Sequence, residues 1–175
     1  MNRNFDKYKV LDTVNQWIFN CDTKVSILLS TYGVLFSVIL SSDIGSGMSN
    51  IIKTCVANKN TCSIAYLCFL VLAITIFGWG IYKLMRVLIP TINLNYNSIM
   101  FFGNIASYPS FGDYWDAVRG CNDDKIDKDL SHQIFAASKI CNQKFSNQKQ
   151  GIKASLLGLT LILFWLIIGY IVYYI

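Results

Sequence analysis

The sequence predicts an all-α membrane protein with three transmembrane helices and a small helical cytoplasmic region. Of the 175 residues, 54% are hydrophobic and only 14% are charged, whereas soluble domains average about 45–50% and about 25%. Charges are absent from three long runs, residues 25–42, 60–82 and 154–175. The remaining residues are dispersed over a tail and two loops, so a soluble domain of ordinary size with its own core is not expected.

The first half of the chain is predicted to cross the membrane twice. Its apolar residues recur every three or four positions from Phe5 to Ile18, which indicates an amphipathic helix. A transmembrane helix needs about 20 mostly apolar residues, and Pro90 ends the second such run. The predicted segments are a cytoplasmic amphipathic helix at 1–24, a transmembrane helix at 25–42, an external loop at 43–62 and a transmembrane helix at 63–89.

The second half is predicted to be a cytoplasmic helical region, residues 90–153, followed by the third transmembrane helix, residues 154–175. Short helices are expected at 97–106 and 113–119. A longer helix begins near Asp123, and because no proline follows, it is expected to continue through the third span for about 75 Å. The alternative is a kink at Gly151 on the membrane surface, since glycine costs a helix about 1 kcal/mol relative to alanine.

The basic residues predict the orientation. Of the 15 Lys and Arg, 13 lie on one side of a three-span arrangement, and the positive side faces the cytoplasm. The N-terminus and the long loop are therefore expected to be cytoplasmic, with the C-terminus outside. The first run is expected to be a retained anchor, because no small-x-small cleavage site follows it. The net charge of +5 suits a membrane surface or a small anion better than duplex nucleic acid.

Cysteine positions suggest a disulfide bond. Cys55 and Cys62 both fall in the predicted external loop, where an oxidising compartment would favour a bridge between them. The alternative is that both are unpaired small hydrophobic residues near the bilayer. No metal site is expected, because the chain has one histidine and lacks a Cys-x-x-Cys pair.

Catalytic signatures are few, so we expect neither an enzyme nor a bound cofactor. His132 is the single histidine and has no partner that can be identified from the sequence. There is no phosphate-binding glycine loop and no Gly-x-Ser-x-Gly motif. The spans contain no charged residue near their middle, which argues against an ion-coupled transporter. Ligand binding remains open, because aromatic residues and cations occur in the cytoplasmic region.

Three stretches carry a family resemblance. They are Trp17 to Ser30 with its Asp22-Thr23-Lys24 segment, Phe101-Phe102-Gly103-Asn104-Ile105-Ala106, and Gln133-Ile134-Phe135-Ala136-Ala137-Ser138-Lys139-Ile140. Together they resemble the transmembrane effectors of the Pycsar antiphage systems, with Asn104 standing where that family more often has histidine. The resemblance implies a protein of the bacterial inner membrane that is inactive until a cyclic nucleotide, such as cyclic UMP or cyclic CMP, binds its cytoplasmic face. It would then impair membrane integrity and cause abortive infection.

A ligand site and self-association are predicted alongside the resemblance. The candidate ligand-binding residues are Lys24, Phe101, Phe102, Asn104 and Lys139. A homo-oligomer is expected, because three helices without polar residues at mid-membrane cannot form an aqueous path alone, and Gly158 and Gly169 are small residues available for close helix approach. Two alternatives stay open: a holin-like small lysis protein, and a passive membrane scaffold that recruits a cytoplasmic partner through the apolar stripe from Leu130 to Phe145.

Overall fold

The computed structural model describes residues 6–41, 43–58, 60–89 and 98–174. Within these residues the chain is helical, and no strand is present. The helices are α1 (Lys7–Ser41), α2 (Asp43–Asn58), α3 (Thr61–Leu88), α4 (Phe102–Ile105), α5 (Phe111–Arg119) and α6 (Asp123–Tyr174). Among them, α1, α3 and α6 are long and apolar enough to cross a membrane. The predicted all-α fold with three candidate spans is confirmed.

Helix α1 joins the predicted amphipathic tail and the first span without a break. Serine and threonine dilute its apolar part, but their hydroxyls donate to backbone carbonyls one turn earlier. Ser30 Oγ donates to the Ser26 carbonyl at 2.9 Å, and Ser37 Oγ donates to the Gly33 carbonyl at 3.0 Å. Because these hydroxyls are satisfied inside the helix, they remain compatible with a hydrocarbon environment.

The segment predicted as an external loop is mostly the helix α2. Its buried residues Ile51 and Cys55 pack with Leu70 of α3 and Trp165 of α6. No disulfide bond joins Cys55 to Cys62 in the structure. The helical conformation of α2 buries Cys55 in this apolar cluster, whereas Cys62 is exposed at the beginning of α3. The structure therefore does not show the bridge that the sequence suggested.

Helix α6 contains 52 residues, or about 78 Å at 1.5 Å per residue. This confirms the predicted continuity between the cytoplasmic helix and the third span, with Gly151 inside the helix. From Cys141 onward, its buried residues alternate at spacings of three and four, the period of helices that supercoil around partners. They are Cys141, Lys144, Gln148, Gly151, Ser155, Gly158, Ile162, Trp165 and Gly169. The predicted stripe is wrong at Phe145, which is exposed, because the repeat places Lys144 on the buried face instead.

The chain divides into two compact units. We call Met1–Cys21 with Pro90–Lys144 the head, and Asp22–Ile89 with Phe145–Ile175 the bundle. Helices α1 and α6 each contribute residues to both units, while α2 and α3 belong to the bundle and α4 and α5 to the head.

Close contact between α3 and α6 builds the core of the bundle. A Cβ atom added to Gly80 would lie 2.3 Å from the backbone nitrogen of Ser155, and one added to Gly158 would lie 2.5 Å from that of Phe77. A Cβ atom on Gly169 would lie 2.3 Å from Tyr66 Oη. The two glycines that the sequence offered for contacts between copies, Gly158 and Gly169, therefore pack within one chain. This helix pair uses small residues for close approach in the way typical of membrane bundles.

Helix α1 contacts this core through the buried Tyr32 and through Phe36, whose ring lies 5.3 Å from that of Phe77 between centroids. Tyr32 Oη and Ser155 Oγ form a hydrogen bond of 2.8 Å, and the Tyr32 ring packs edge-on against Phe77 with centroids 5.4 Å apart. Ser155 thus lies where residues of all three long helices meet.

Candidate functional site

A buried polar cluster in the head fixes the segment that precedes α4. Asp129 of α6 is only 2% exposed, and its Oδ2 accepts hydrogen bonds from Ser98 Oγ at 2.9 Å and from the Ile99 backbone N–H at 3.0 Å. Ser98 Oγ in turn accepts from Gln133 Nε2 at 2.8 Å and from the Phe101 N–H at 3.0 Å. We call Ser98, Asp129 and Gln133 the Asp129 cluster.

The second carboxylate oxygen of Asp129 is buried and accepts no hydrogen bond from the described residues. A carboxylate has about four acceptor positions, and leaving a buried acceptor unsatisfied costs about 1–3 kcal/mol or more when it is charged. The cluster therefore presents one buried acceptor, Asp129 Oδ1, that a hydroxyl or N–H donor can stabilise.

Aromatic side chains of the head also contact the segment that precedes α4. Tyr114 of α5 donates from Oη to the Ile99 carbonyl at 3.3 Å, and its ring packs edge-on against Tyr108 with centroids 5.5 Å apart. The rings of Phe101 and Phe102 lie 4.7 Å apart between centroids, and Phe102 is 67% exposed. Residues 98–102 thus combine buried hydrogen-bonding groups with an aromatic face open to a ligand.

The predicted ligand-binding residues do not all belong to one unit. Phe101, Phe102 and Asn104 lie together at the beginning of α4 in the head. Lys139 also belongs to the head, on an exposed position of α6. Lys24 belongs to the bundle, because the division of α1 falls after Cys21.

Lys139 contacts the exposed aromatic ring of Phe135. Its Nζ lies 4.6 Å from the centroid of the Phe135 ring, which is within the range of a cation–π contact. Lys139 is therefore a surface cation of the head whose position is restrained by a neighbour on its own helix.

None of the three members of the Asp129 cluster is among the ligand-binding residues predicted from the sequence. Asp129 belongs to a run of aspartates that resembles ordinary helix-start charge. Two members could have been found from their nearness in sequence to the family motifs. Gln133 begins the third stretch, and Ser98 lies three residues before Phe101. Two of the three stretches therefore meet at the Asp129 cluster.

Formal charge is distributed very unequally between the units. The head contains eight Lys and Arg and eight Asp, so its formal net charge is zero. The bundle contains seven Lys and Arg and two Asp, which accounts for the whole net charge of +5. The head therefore has no excess of positive charge that would attract anions over long distances.

Most of the basic residues of the bundle gather at one end. Leu84 of α3 contacts Gly151 of α6, and Tyr32 of α1 contacts Ser155 of α6, so the three helices can be aligned by height. We call the five basic residues near this level the basic collar: Lys24, Lys83, Arg86, Lys149 and Lys153. Of the other two, Lys53 lies in α2, which packs through Ile51 and Cys55 against Leu70, toward the opposite end of α3, and Lys59 lies outside the described residues.

One thiol of the head has a shifted pKa. Burial raises the pKa of the Cys141 thiol above its usual 9.0, and the ammonium group of Lys144 offsets part of this effect. A buried thiol with a raised pKa is a poor nucleophile, so the structure favours a packing role for Cys141.

Comparison with known proteins points to one family. The sequence model of the Pycsar effector protein domain, PycTM, matches residues 7–172. The chain is also similar to the Pycsar effector protein GmPycTM of Gulbenkiania mobilis, with 29% identity over 163 residues, covering 82% of this chain and 81% of that protein. No solved structure matches the chain. The matched range includes the Asp129 cluster and the three candidate spans.

Proposed function

The chain belongs to the Pycsar effector family, and we propose that it is a membrane effector whose head binds a cyclic pyrimidine mononucleotide. The ligand belongs to the class of cyclic UMP and cyclic CMP. Binding causes the protein to impair the integrity of the bacterial inner membrane, and the infected cell stops growing before phage are released. The protein performs no catalysis in this proposal.

The orientation in this proposal follows from the basic collar. Five of the seven basic residues of the bundle lie near one end of the aligned helices, and positive residues near span ends favour the cytoplasmic side. The head and the N-terminus are then cytoplasmic, where a nucleotide signal would be made, and the C-terminus is external.

The observation that carries the sensing role is the buried acceptor Asp129 Oδ1. A cyclic mononucleotide has one ionised phosphodiester, a free ribose hydroxyl and a base with N–H groups. A carboxylate attracts the hydroxyl or N–H donor and repels the phosphate, so the sugar or the base contacts Asp129. Phe101 and Phe102 supply faces on which a base stacks, and Lys139 is the candidate cation of the head for the phosphate.

Helix α6 offers a route from the ligand to the membrane. It carries Asp129 in the head and continues without a break to Tyr174 in the bundle. A ligand that prefers one arrangement of the head shifts the population toward that arrangement, and a shift from 1:99 to 99:1 requires a preference of about 5.5 kcal/mol. Self-association then provides the path through the bilayer, since the apolar stretches of three helices do not enclose water alone.

The proposal is tested by equilibrium binding of cyclic UMP, cyclic CMP, cyclic AMP and cyclic GMP to the full chain in detergent. We expect one pyrimidine nucleotide to bind tightest. Asp129→Asn should weaken its binding by about 10- to 100-fold, because a hydrogen bond to a charged group contributes about 1.5–3 kcal/mol. The matched control is Asp124→Asn, which removes an exposed carboxylate from the same helix and should leave affinity unchanged.

Two results would overturn the proposal. If none of the four nucleotides binds, the sensing role is lost, and the holin and scaffold alternatives become stronger. If a nucleotide binds with equal affinity to wild type and Asp129→Asn, while both proteins remain folded, the Asp129 cluster is not the ligand site.

A further inference from the structure

A group of aromatic and basic side chains, exposed except for the half-buried Lys83, lies near one end of α3. Lys83 Nζ is 5.1 Å from the centroid of the Trp79 ring, and Arg86 Nη1 donates to Tyr82 Oη at 3.2 Å. The Trp79 and Tyr82 rings adjoin each other, with centroids 5.7 Å apart. We call Trp79, Tyr82, Lys83 and Arg86 the α3 patch.

The α3 patch lies outside the core of the bundle. Trp79 is 55% exposed and Tyr82 is 48% exposed, while Gly80, Leu84 and Val87 on the other face of α3 are buried. The four side chains are neighbours because they recur every three or four residues on one face of α3, and packing within the bundle leaves both aromatic rings largely uncovered.

The position of the patch along α3 matches the edge of a bilayer. Ser63 lies in the first turn of α3, and Lys83 follows it by twenty residues, or about 30 Å of helix. This distance equals the usual thickness of the hydrocarbon layer. Tryptophan and tyrosine collect at the headgroup level, and lysine and arginine reach the same level from span ends.

The electrostatic surroundings favour an anion. No carboxylate forms an ion pair with Lys83 or Arg86 in the part of the chain that the structure describes, and α3 contains no acidic residue. Lys149 and Lys153 of α6 lie near the same height, because Leu84 contacts Gly151. Lys83 and Arg86 therefore belong to both the α3 patch and the basic collar, and no described carboxylate neutralises either of them.

We propose that the α3 patch binds the headgroup phosphate of an anionic phospholipid such as phosphatidylglycerol. Arg86 keeps further N–H groups beyond the one that it donates to Tyr82, and the guanidinium fork suits two phosphate oxygens. The cation–π contact with Trp79 restrains Lys83 beside it. Both aromatic rings then cover the glycerol region of the lipid. This binding depends on the bundle crossing a bilayer and not on nucleotide sensing.

The test counts lipids retained by the full chain. The protein is exchanged into nanodiscs with equal amounts of phosphatidylglycerol and phosphatidylcholine, extracted gently, and analysed by native mass spectrometry. We expect phosphatidylglycerol to be enriched on the wild type. A basic residue near an anionic surface contributes about 1 kcal/mol, so Lys83→Gln and Arg86→Gln should each reduce the enrichment by about five-fold, and the double variant should reduce it further.

Matched variants distinguish specific lipid binding at the α3 patch from non-specific attraction between basic residues and anionic lipids. Lys53→Gln removes one exposed charge from α2, at the opposite end of the bundle, and should leave the enrichment unchanged. Arg86→Lys and Trp79→Leu keep the charge but lose the fork or the cation–π contact, so both should give intermediate enrichment. Circular dichroism and thermal unfolding establish that each variant is folded.

Equal enrichment on the wild type and on the folded double variant would overturn the proposal. An equal loss for Lys53→Gln and Lys83→Gln would also overturn it, because the attraction would then be diffuse. Nucleotide binding, measured on the same preparations, should be unchanged by the patch variants. Failure of lipid binding is thereby distinguished from failure of the sensing function.

Discussion

The head and the bundle are built from different interactions, although α1 and α6 contribute to both. In the head, a buried carboxylate, a serine and a glutamine hold the segment before α4, and the formal charges cancel. In the bundle, glycine and serine allow α3 and α6 to approach closely, and the net charge is +5. Buried hydrogen bonds therefore determine the local structure of the head, whereas close packing of complementary helix surfaces determines the structure of the bundle. Most of the excess positive charge of the bundle lies at one of its ends.

Under the proposed function, this difference would separate ligand recognition by the head from placement of the bundle in the membrane. A neutral head with a buried acceptor can distinguish a small ligand by its donors, because electrostatic attraction adds little background affinity for other anions. In the proposed function, the basic collar would set orientation and height in the bilayer without contributing to that selection. Substitutions that disturb the packing of the bundle should therefore have different consequences from substitutions that remove hydrogen bonds in the head.

Gly80→Leu should produce the largest loss of stability. Even a Cβ atom at this position would lie 2.3 Å from the backbone of Ser155, and a backbone cannot move aside as a flexible side chain can. We expect a destabilisation of about 3 kcal/mol or more, at the upper end of the range for overpacked cores. Thermal unfolding in detergent, followed by circular dichroism, measures the effect.

Gly78 provides the matched control. It lies two residues away on the same helix, and a Cβ atom there would have no neighbour within 4 Å. Gly78→Leu should therefore leave the unfolding temperature nearly unchanged. Similar losses for both variants would mean that contact with α6 does not determine the result, because leucine is a better helix former than glycine and should not by itself destabilise α3.

Ser98→Ala should have a smaller effect that is confined to the head. The substitution removes one of the two donors to Asp129 and the acceptor of Gln133. Because an unsatisfied buried polar group costs about 1–3 kcal/mol, we expect faster hydrogen exchange in residues 98–106, with unchanged exchange in α3. Ser107→Ala is the control, since the Ser107 hydroxyl is exposed and donates only to the Asn104 carbonyl. Equal exchange in the two variants would contradict a structural role for the Asp129 cluster.

Features of the fold that depend on local composition could be predicted from the sequence. The three spans follow from charge-free runs, and the continuity of α6 follows from the absence of proline after Asp123. Helix α2 could not be predicted in this way, because its glycines and serines lower local helix propensity. Its stability comes from the burial of Ile51 and Cys55 against α3 and α6, which is a tertiary effect.

The candidate site was only partly accessible to sequence reasoning. Phe101, Phe102 and Asn104 could be identified because they are adjacent and belong to one motif. The role of Asp129 could not, since its partners Ser98 and Ile99 are about thirty residues away in the chain. A run of aspartates gives no indication of which member is buried, and that depends on which face of α6 the segment 98–101 contacts.

The smallest effect concerns thiol chemistry at neutral pH. Cys62 is exposed near the start of α3, whereas Cys141 is buried in the head, and burial raises its pKa despite the opposing charge of Lys144. In native protein at pH 7.5, a maleimide should label Cys62 rapidly and Cys141 slowly, as peptide mass spectrometry can measure. The raised pKa means that folding stabilises the protonated thiol, so this contribution to stability is present below pH 9 and is lost as the pH rises through the folded-state pKa. Rapid labelling of Cys141 at pH 7.5 would show that this part of the head opens readily, and the contrast between the two thiols would disappear.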